Sequence, residues 1–480
     1  MTDNTSIRMA NSITGAPSLS SQLIAAVLAR PIQLADQQRS ALHLLDWLGC
    51  VAAALPSAAA LPFATLAHSE KAQAKGGYRA LWTCDSGFEQ ALGFNAALGN
   101  VLEMDDVHRS SILHPGPVVI PAALAMAQRQ GAGLSELLNA ILLGYEVSIR
   151  IGRAIGRSHY RYFHNTSSCA AFGAAMAAGY LLKLSPQQLL WALGNTGSRT
   201  GGLWQMRHET VLTKQWHNAE AARSGVNAAL LAAAGLTGPA YILEGPQGLF
   251  AATSSDAEPA AVLAAEPGWL AHQCTFKPWP ACRHAHPALD AVSSLLAQAG
   301  IQHLTAAEVS RIEIGCYQDA LTFCDRLEVQ TENQAKFSIQ HAVAARLLWG
   351  EPALSHYQLP VLALPEVAAL KQKILLHADP LLEQAYPAHF GARATLKLVD
   401  GRQFSIRLDD TLGDPERPLS QQQLLEKARG LFAYGGVPLA ASQALCQLLG
   451  QWQVTADDSL QPLLAACAAL SSPSTPFSPA

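Results

Sequence analysis

Charge is what this 480-residue chain has least of: Asp, Glu, Lys and Arg make up 14% of it, against about 25% in ordinary globular proteins. With 50% apolar residues, a large core or a subunit contact must hide much of the chain. Lys/Arg runs are missing too, and the net charge of −4 excludes the basic footprint that nucleic acid or an anionic membrane surface requires. Long unbroken apolar runs are equally lacking. The longest uncharged segments, 47–67 and 225–243, are interrupted by Pro56 and Pro62, or by Gly235, Gly238 and Pro239, so they read as buried helices and turns rather than membrane spans. Nine scattered cysteines form no CxxC pair, which argues against a disulfide framework and against zinc or iron–sulfur sites. The start, "MTDNTSIRMANSITGAPSL", has no apolar core of the kind a secretory signal needs, and a cytoplasmic protein is expected.

What is present is mostly helical periodicity. Leu134, Leu138, Ile141, Tyr145 and Ile149 recur at three- and four-residue steps, as do Phe88, Ala91, Leu98 and Leu102, each marking one apolar helix face. Small residues crowd "CAAFGAAMAAGYLL" and "AALLAAAGL", and helix backbones can approach closely there. Near residue 273 the character changes. Pro278, Pro280 and Pro287 punctuate the chain, "RIEIGCY" alternates, and "ARATLKLVDGRQFSIRL" places two alternating runs about Asp400-Gly401, a strong hairpin signal. "GDPERPLS" then announces a new helix start. The expected architecture is mostly α with a smaller α/β domain. Residues 1–272 and 413–480 form the all-helical part, and 273–412 form an inserted α/β lid. The Pro-rich end "SSPSTPFSPA" should be frayed, and no internal repeat is visible.

Against so little charge, "EMDDVHRSSILHPGPVVIPAALA" (103–125) concentrates Glu103, Asp105, Asp106, His108, Arg109 and His114 in a dozen positions. The periodicity carries the preceding helix on toward Glu103, and Pro121 should open the next one. Polar groups from a helix end and a proline-fixed loop can then face one cavity, though a solvated, capped helix end would look the same. A magnesium site on Asp105 and Asp106 lacks a third carboxylate four residues on and a second acidic cluster. A zinc hydrolase lacks a His pair at helical spacing. No metal is expected. Two further clusters stand out: His164 beside the N-cap candidates Thr166, Ser167 and Ser168, and Lys214 with His217 in "TKQWHNAEAARSG". "FKPWPACRHAHPALDA" adds Lys277, Arg283, His284 and His286 at the domain junction, where ligands commonly bind.

These stretches, with "LLGYEVSIRIG", "ILEGPQGLF" and "ADPLLEQAYPAHFGARATLKLVDGR", resemble consecutive blocks of the MmgE/PrpD family, in order from about Leu44 to Leu419. That family includes 2-methylcitrate dehydratase, cis-aconitate decarboxylase and iminodisuccinate epimerase. The resemblance implies a helical domain built from both chain ends, a smaller α/β lid, a homodimer, a small carboxylic acid as the binding partner, and no metal or organic cofactor. Carried over, it makes Asp105, His114, His164, Lys214 and Lys277 the candidate catalytic residues, and Glu103, Ser168, Arg283, His284 and His286 the candidate substrate-binding set. The shared chemistry creates negative charge beside a carboxylate, which fixed cations and a base poised near neutral pH would stabilise. Compared with decarboxylase members, Glu stands at the first acidic position, one extra residue precedes the histidine, and Cys282 stands where those members have a histidine. A cofactor-independent dehydratase acting on an acid such as 2-methylcitrate is therefore the first expectation, with a decarboxylase or an epimerase next. A helical dimer that has lost its activity is the reading from another class.

Overall fold

The computed structural model describes residues 16–69, 77–209, 211–454 and 458–470. Most of the sequence start read for a leader, and all of 471–480, lie outside these residues. The chain is mostly helical with a smaller α/β part. One hydrophobic cluster runs from Leu23 to Cys274 and also takes in Leu425, Leu431, Phe432, Leu445 and Cys467. A second spans Ala281 to Leu398. The C-terminal helices Gln421–Tyr434 and Leu439–Gly450 thus return to pack on Leu34–Ala54, after a Ser420 side chain caps the first of them. Among the described residues no single helix is long and apolar enough to cross a membrane.

At the centre of the helical part, Asn165–Leu181 lies between Leu134–Ala154 and Thr213–Ala233. The small residues permit backbone contact: a Cβ on Gly173 would sit 2.3 Å from the Gly144 carbonyl oxygen, and one on Gly225 would sit 2.4 Å from that of Ala171. Close approach over this length maximises dispersion contacts and leaves no room for a wetted seam. Asn165–Leu181 and Thr213–Ala233 run in the same direction, because His164 meets His217 and Ala171 meets Gly225. Their N-termini consequently share one end of the bundle.

The smaller part is a four-stranded sheet in the order Ile374–Ala378, Val309–Cys316, Ala392–Leu398, Gln403–Leu408. The last two strands form the hairpin expected about Asp400-Gly401, with Ala394 opposite Ile406. Strand Ile374–Ala378, which pairs in parallel with Val309–Cys316, had no signal in the sequence because only one of its five residues is buried. Helix His286–Ala299 packs on the sheet, and Ile339–Trp349 packs against that helix.

A two-residue antiparallel ladder joins the acidic stretch to the domain junction, with Val107 opposite Thr275 and His108 opposite Cys274. Continued by two residues, this register sets Asp105 across from Lys277. Salt bridges reinforce the junction: Arg109 to Glu416 at 2.6 Å, Arg283 to Asp414 at 2.6 Å and Arg417 to Asp290 at 2.6 Å.

Candidate active site

The helix expected to continue toward Glu103 ends earlier, at Leu98. A Cβ on Gly99 would come within 2.3 Å of the Trp47 indole nitrogen, so the close packing of Trp47 suits glycine there. The chain then turns, and Glu103 takes a left-handed backbone conformation, φ 56°, which aims its side chain inward. The next helix starts at Gly116 rather than at Pro121, which lies inside it. Pro117 takes the first-turn place, where a missing N–H costs nothing.

Two carboxylates anchor the site and both are buried. Glu103 meets Lys214 through Oε1 and Lys277 through Oε2 at 3.5 Å, while the Lys277 ammonium also donates to the Glu103 carbonyl at 3.0 Å. Asp105 accepts from Asn100 at 2.7 Å and faces His114 Nδ1 at 2.8 Å. The His114 backbone N–H donates to Thr166 Oγ1 at 3.0 Å, fastening the loop to the first turn of Asn165–Leu181. That helix begins at His164, which is its N-cap. Thr166, Ser167 and Ser168 are therefore first-turn residues rather than caps. The His164 ring faces His217, Nδ1 to Nδ1, at 3.3 Å, and lies 4.5 Å from the Trp204 ring.

Charge follows from this packing. Burial alone would raise the Glu103 and Asp105 carboxyls, but Lys214 and Lys277 outweigh it at Glu103, as His114, Lys277 and Lys214 do at Asp105, and both are held below the usual carboxylate range. Burial would lower Lys277, yet Glu103 and Asp105 keep it above its ordinary value. His164 is pushed well down by burial first and then by Lys214, His217 and His114. The three helices that start here, at Gly116, Asn165 and Thr213, also direct positive dipole ends toward the same region.

Six of the ten sequence candidates thus converge: Glu103, Asp105, His114, His164, Lys214 and Lys277. The other four each turn to a partner elsewhere. Ser168 Oγ pairs with His159 Nε2 at 2.8 Å. Arg283 turns to Asp414. His284 bonds the Tyr317 hydroxyl at 2.9 Å and stacks on Phe323 and Phe390. His286 Nε2 donates to the Ala281 carbonyl at 3.1 Å, beside Trp279. Their Lys/His-rich run flags a junction, and only Lys277 of that run reaches Glu103.

Sequence reasoning passed over three lysine- or histidine-based features. Lys336, from Glu332–Lys336 of the smaller part, is buried with only a 3.5 Å contact to the Val101 carbonyl. Burial lowers it to about 8 despite Glu103, with Lys277 and Lys214 adding to the fall. The polar run around it, "QTENQAKFSIQ", gave no sign that this lysine would be buried. Lys427 reaches in from the C-terminal helix, donating to the Met104 carbonyl at 2.7 Å and pairing with Asp46 at 2.6 Å. His217 was noticed beside Lys214 but not its contact with His164.

Asp106, neighbour to Asp105, serves the scaffold. It accepts from the Tyr145 hydroxyl at 2.7 Å and from the Gly116 N–H at 3.1 Å, and it pairs with His43 at 2.6 Å. With Cys274 these groups bring three possible metal donors together, but His43 Nε2 already meets the Ala271 carbonyl and Arg39, whose cation would oppose a metal ion. The other such group, His389, Asp410 and Glu416, is engaged with Arg109.

Comparison with known proteins agrees with this architecture. Residues 21–261 match the MmgE/PrpD N-terminal domain and residues 279–446 match the MmgE/PrpD C-terminal domain. The chain is 28% identical to cis-aconitate decarboxylase of Homo sapiens over 344 residues, covering 68% of this chain and 69% of that protein. It is 26% identical to cis-aconitate decarboxylase of Mus musculus over 387 residues, 77% and 75% of the two chains. Against 2-methylcitrate dehydratase of Salmonella typhimurium it is 25% identical over 232 residues, 47% and 48%. With both domains matched in order, the chain belongs to the MmgE/PrpD family.

Proposed function

We propose that this chain is a lyase that acts on a small di- or tricarboxylic acid by forming and quenching negative charge beside a carboxylate. The observation that carries the reading is the convergence of Lys214 and Lys277 on the buried Glu103 carboxylate, with the buried Lys336 near enough to feel its charge. Two ammoniums on one carboxylate and a third within electrostatic reach, with Asp105 already facing His114, leave positive charge for an anionic ligand to answer. A substrate carboxylate can compete with Glu103 for Lys214 and Lys277. Those cations then stabilise the enediolate-like charge in a site too dry for water to screen it. His114, oriented by Asp105, and His164 are the groups for moving the proton.

Two leaving groups fit this machinery. Loss of water from a 2-methylcitrate-like acid is the first reading. Loss of carbon dioxide from a cis-aconitate-like acid is the second, and the longer alignments to the two mammalian decarboxylases favour it. Purified protein incubated with 2-methylcitrate, citrate and cis-aconitate in deuterated water separates them, because mass spectrometry distinguishes an alkene product, gas release and solvent exchange without net conversion. Lys214→Ala should leave a folded protein with a rate about a hundredfold lower, the scale set by losing one preorganised charge stabiliser. Full rate in that variant, or no conversion of any of these acids by the wild type, overturns the reading.

A further inference from the structure

His164 and His217 face each other through the same ring atom. Nδ1 lies 3.3 Å from Nδ1, with ring centroids 5.5 Å apart and tilted by 41°. Two neutral imidazoles in this geometry hold only one hydrogen between them. One ring donates its Nδ1–H and leaves its Nε2 bare, and the other accepts and carries Nε2–H. The state of the buried ring is therefore set by its neighbour. Ser167 Oγ, three residues after His164 in the first turn of its helix, donates to the His217 carbonyl at 3.4 Å, and the His164 N–H donates to the Gly202 carbonyl at 2.8 Å. Gly202 has φ 105°, and a Cβ there would press on Ser167 at 2.7 Å and approach His217 Nδ1 at 3.4 Å. Glycine at this turn keeps the approach to the pair open.

The two rings differ in access. His164 is 2% exposed, whereas His217 forms part of the wall of a surface cavity of about 540 Å³, with Ser167, Gly202, Arg199, Glu209 and Trp216. Glu103, Asp105 and Lys277 do not line that cavity. Around the pair stand Lys214 and Glu220 on the helix of His217, His114 and Arg207 on the side of His164, and Arg199 and Glu209 across the cavity. Burial and then Lys214 keep His217 below its ordinary value, so both rings are uncharged near neutral pH.

We propose that His217 is a positioning residue that fixes the tautomer and orientation of His164 and links that buried ring to solvent through the neighbouring cavity. The inference rests on the acid-lyase reading given above, in which His164 handles the proton.

The test is His217→Ala, assayed on whichever of the three acids the wild type converts, with and without added imidazole. kcat is expected to fall about tenfold, a part of the 10²- to 10⁴-fold that general acid–base catalysis supplies, while KM changes little. The pH–rate profile should shift. Imidazole, small enough for the cavity and the space left by the side chain, should restore the rate with saturation, and it should not do so in His164→Ala. His217→Asn, whose amide reaches the Nδ1 position, should retain more rate than His217→Ala, and it is read by the same profile if the alanine variant does not fold. An unchanged rate and profile, or a loss that imidazole does not repair in a folded variant, overturns the positioning role. If the wild type converts none of the acids, the lyase reading falls and this inference falls with it.

Discussion

Replacing Lys277 by methionine tests the heart of the site, because the two side chains have similar length and only one carries charge. Lys277 is fully buried and serves both the Glu103 carbonyl and its carboxylate. Removing one member of a buried pair costs about 3–5 kcal/mol, chiefly because the surviving charge is left without its partner. Here Lys214 still holds Glu103 and methionine packs well, so the loss should fall near about 3 kcal/mol, the lower end of that range. The sign with pH follows from Glu103, whose folded value is depressed. Its stabilisation is present above the ordinary carboxylate range and is lost as pH falls through the folded value. In Lys277→Met that value rises, so acid unfolding should begin at higher pH than in wild type. Urea unfolding at several pH values measures both effects. The decisive step is Glu103→Gln in the same background: it removes a buried carboxylate left with one of its two cation partners and should return part of the lost stability, yet turnover should stay down by about a hundredfold or more, since the fixed cation is still missing. A double variant that recovers rate, or one that recovers no stability, would refute this account of the Lys277–Glu103 pair.

Lys336→Met should stabilise the protein and weaken its activity. Because the folded lysine sits at about 8, below its unfolded value, the unfolded chain binds more protons from there up to the ordinary lysine range. Wild-type stability should thus climb with pH across that window and the variant's should not, as urea midpoints would show. An unchanged kcat in Lys336→Met would remove this lysine from the site. Asp106→Ala should cost about 3 kcal/mol by leaving the Tyr145 hydroxyl and the Gly116 N–H without an acceptor, seen as a lower unfolding midpoint. Equal stability would mean that the His43–Tyr145–Asp106 brace carries no load.

Much of the fold was legible because its signals are local. Alternation about Asp400-Gly401 is a hairpin wherever it occurs, and it forms here with the expected facing pairs. "GDPERPLS" announced a helix start, and Ser420 caps the helix that begins at Gln421. Small residues from Cys169 to Gly179 foretold close helix contact, and Gly173 against Gly144 supplies it. Local signals also misled. Helical spacing from Phe88 to Leu102 carried no information about Trp47, against which Gly99 packs, and Ser168 looked like a cap while its hydroxyl belongs to His159. Strand Ile374–Ala378 pairs with a partner some sixty residues earlier and exposes too much of itself to show an apolar face.

The residue types needed for the chemistry, and the family they resemble, were written in the linear chain: two acids before a loop histidine, a histidine before a small-residue helix, two lysines in separate clusters. Which of them meet was a matter of long-range packing alone. Lys277 comes opposite Asp105 through a two-residue ladder to a segment about 170 positions away, and Lys336 comes from the smaller part to the Val101 carbonyl, within the field of Glu103. Arg283, His284 and His286, only a few residues from Lys277, turn to other partners. Side-chain direction after a turn depends on what the backbone packs against, and a carboxylate's ionisation depends on the cations that packing brings within a few ångströms. Neither quantity exists until the chain is folded.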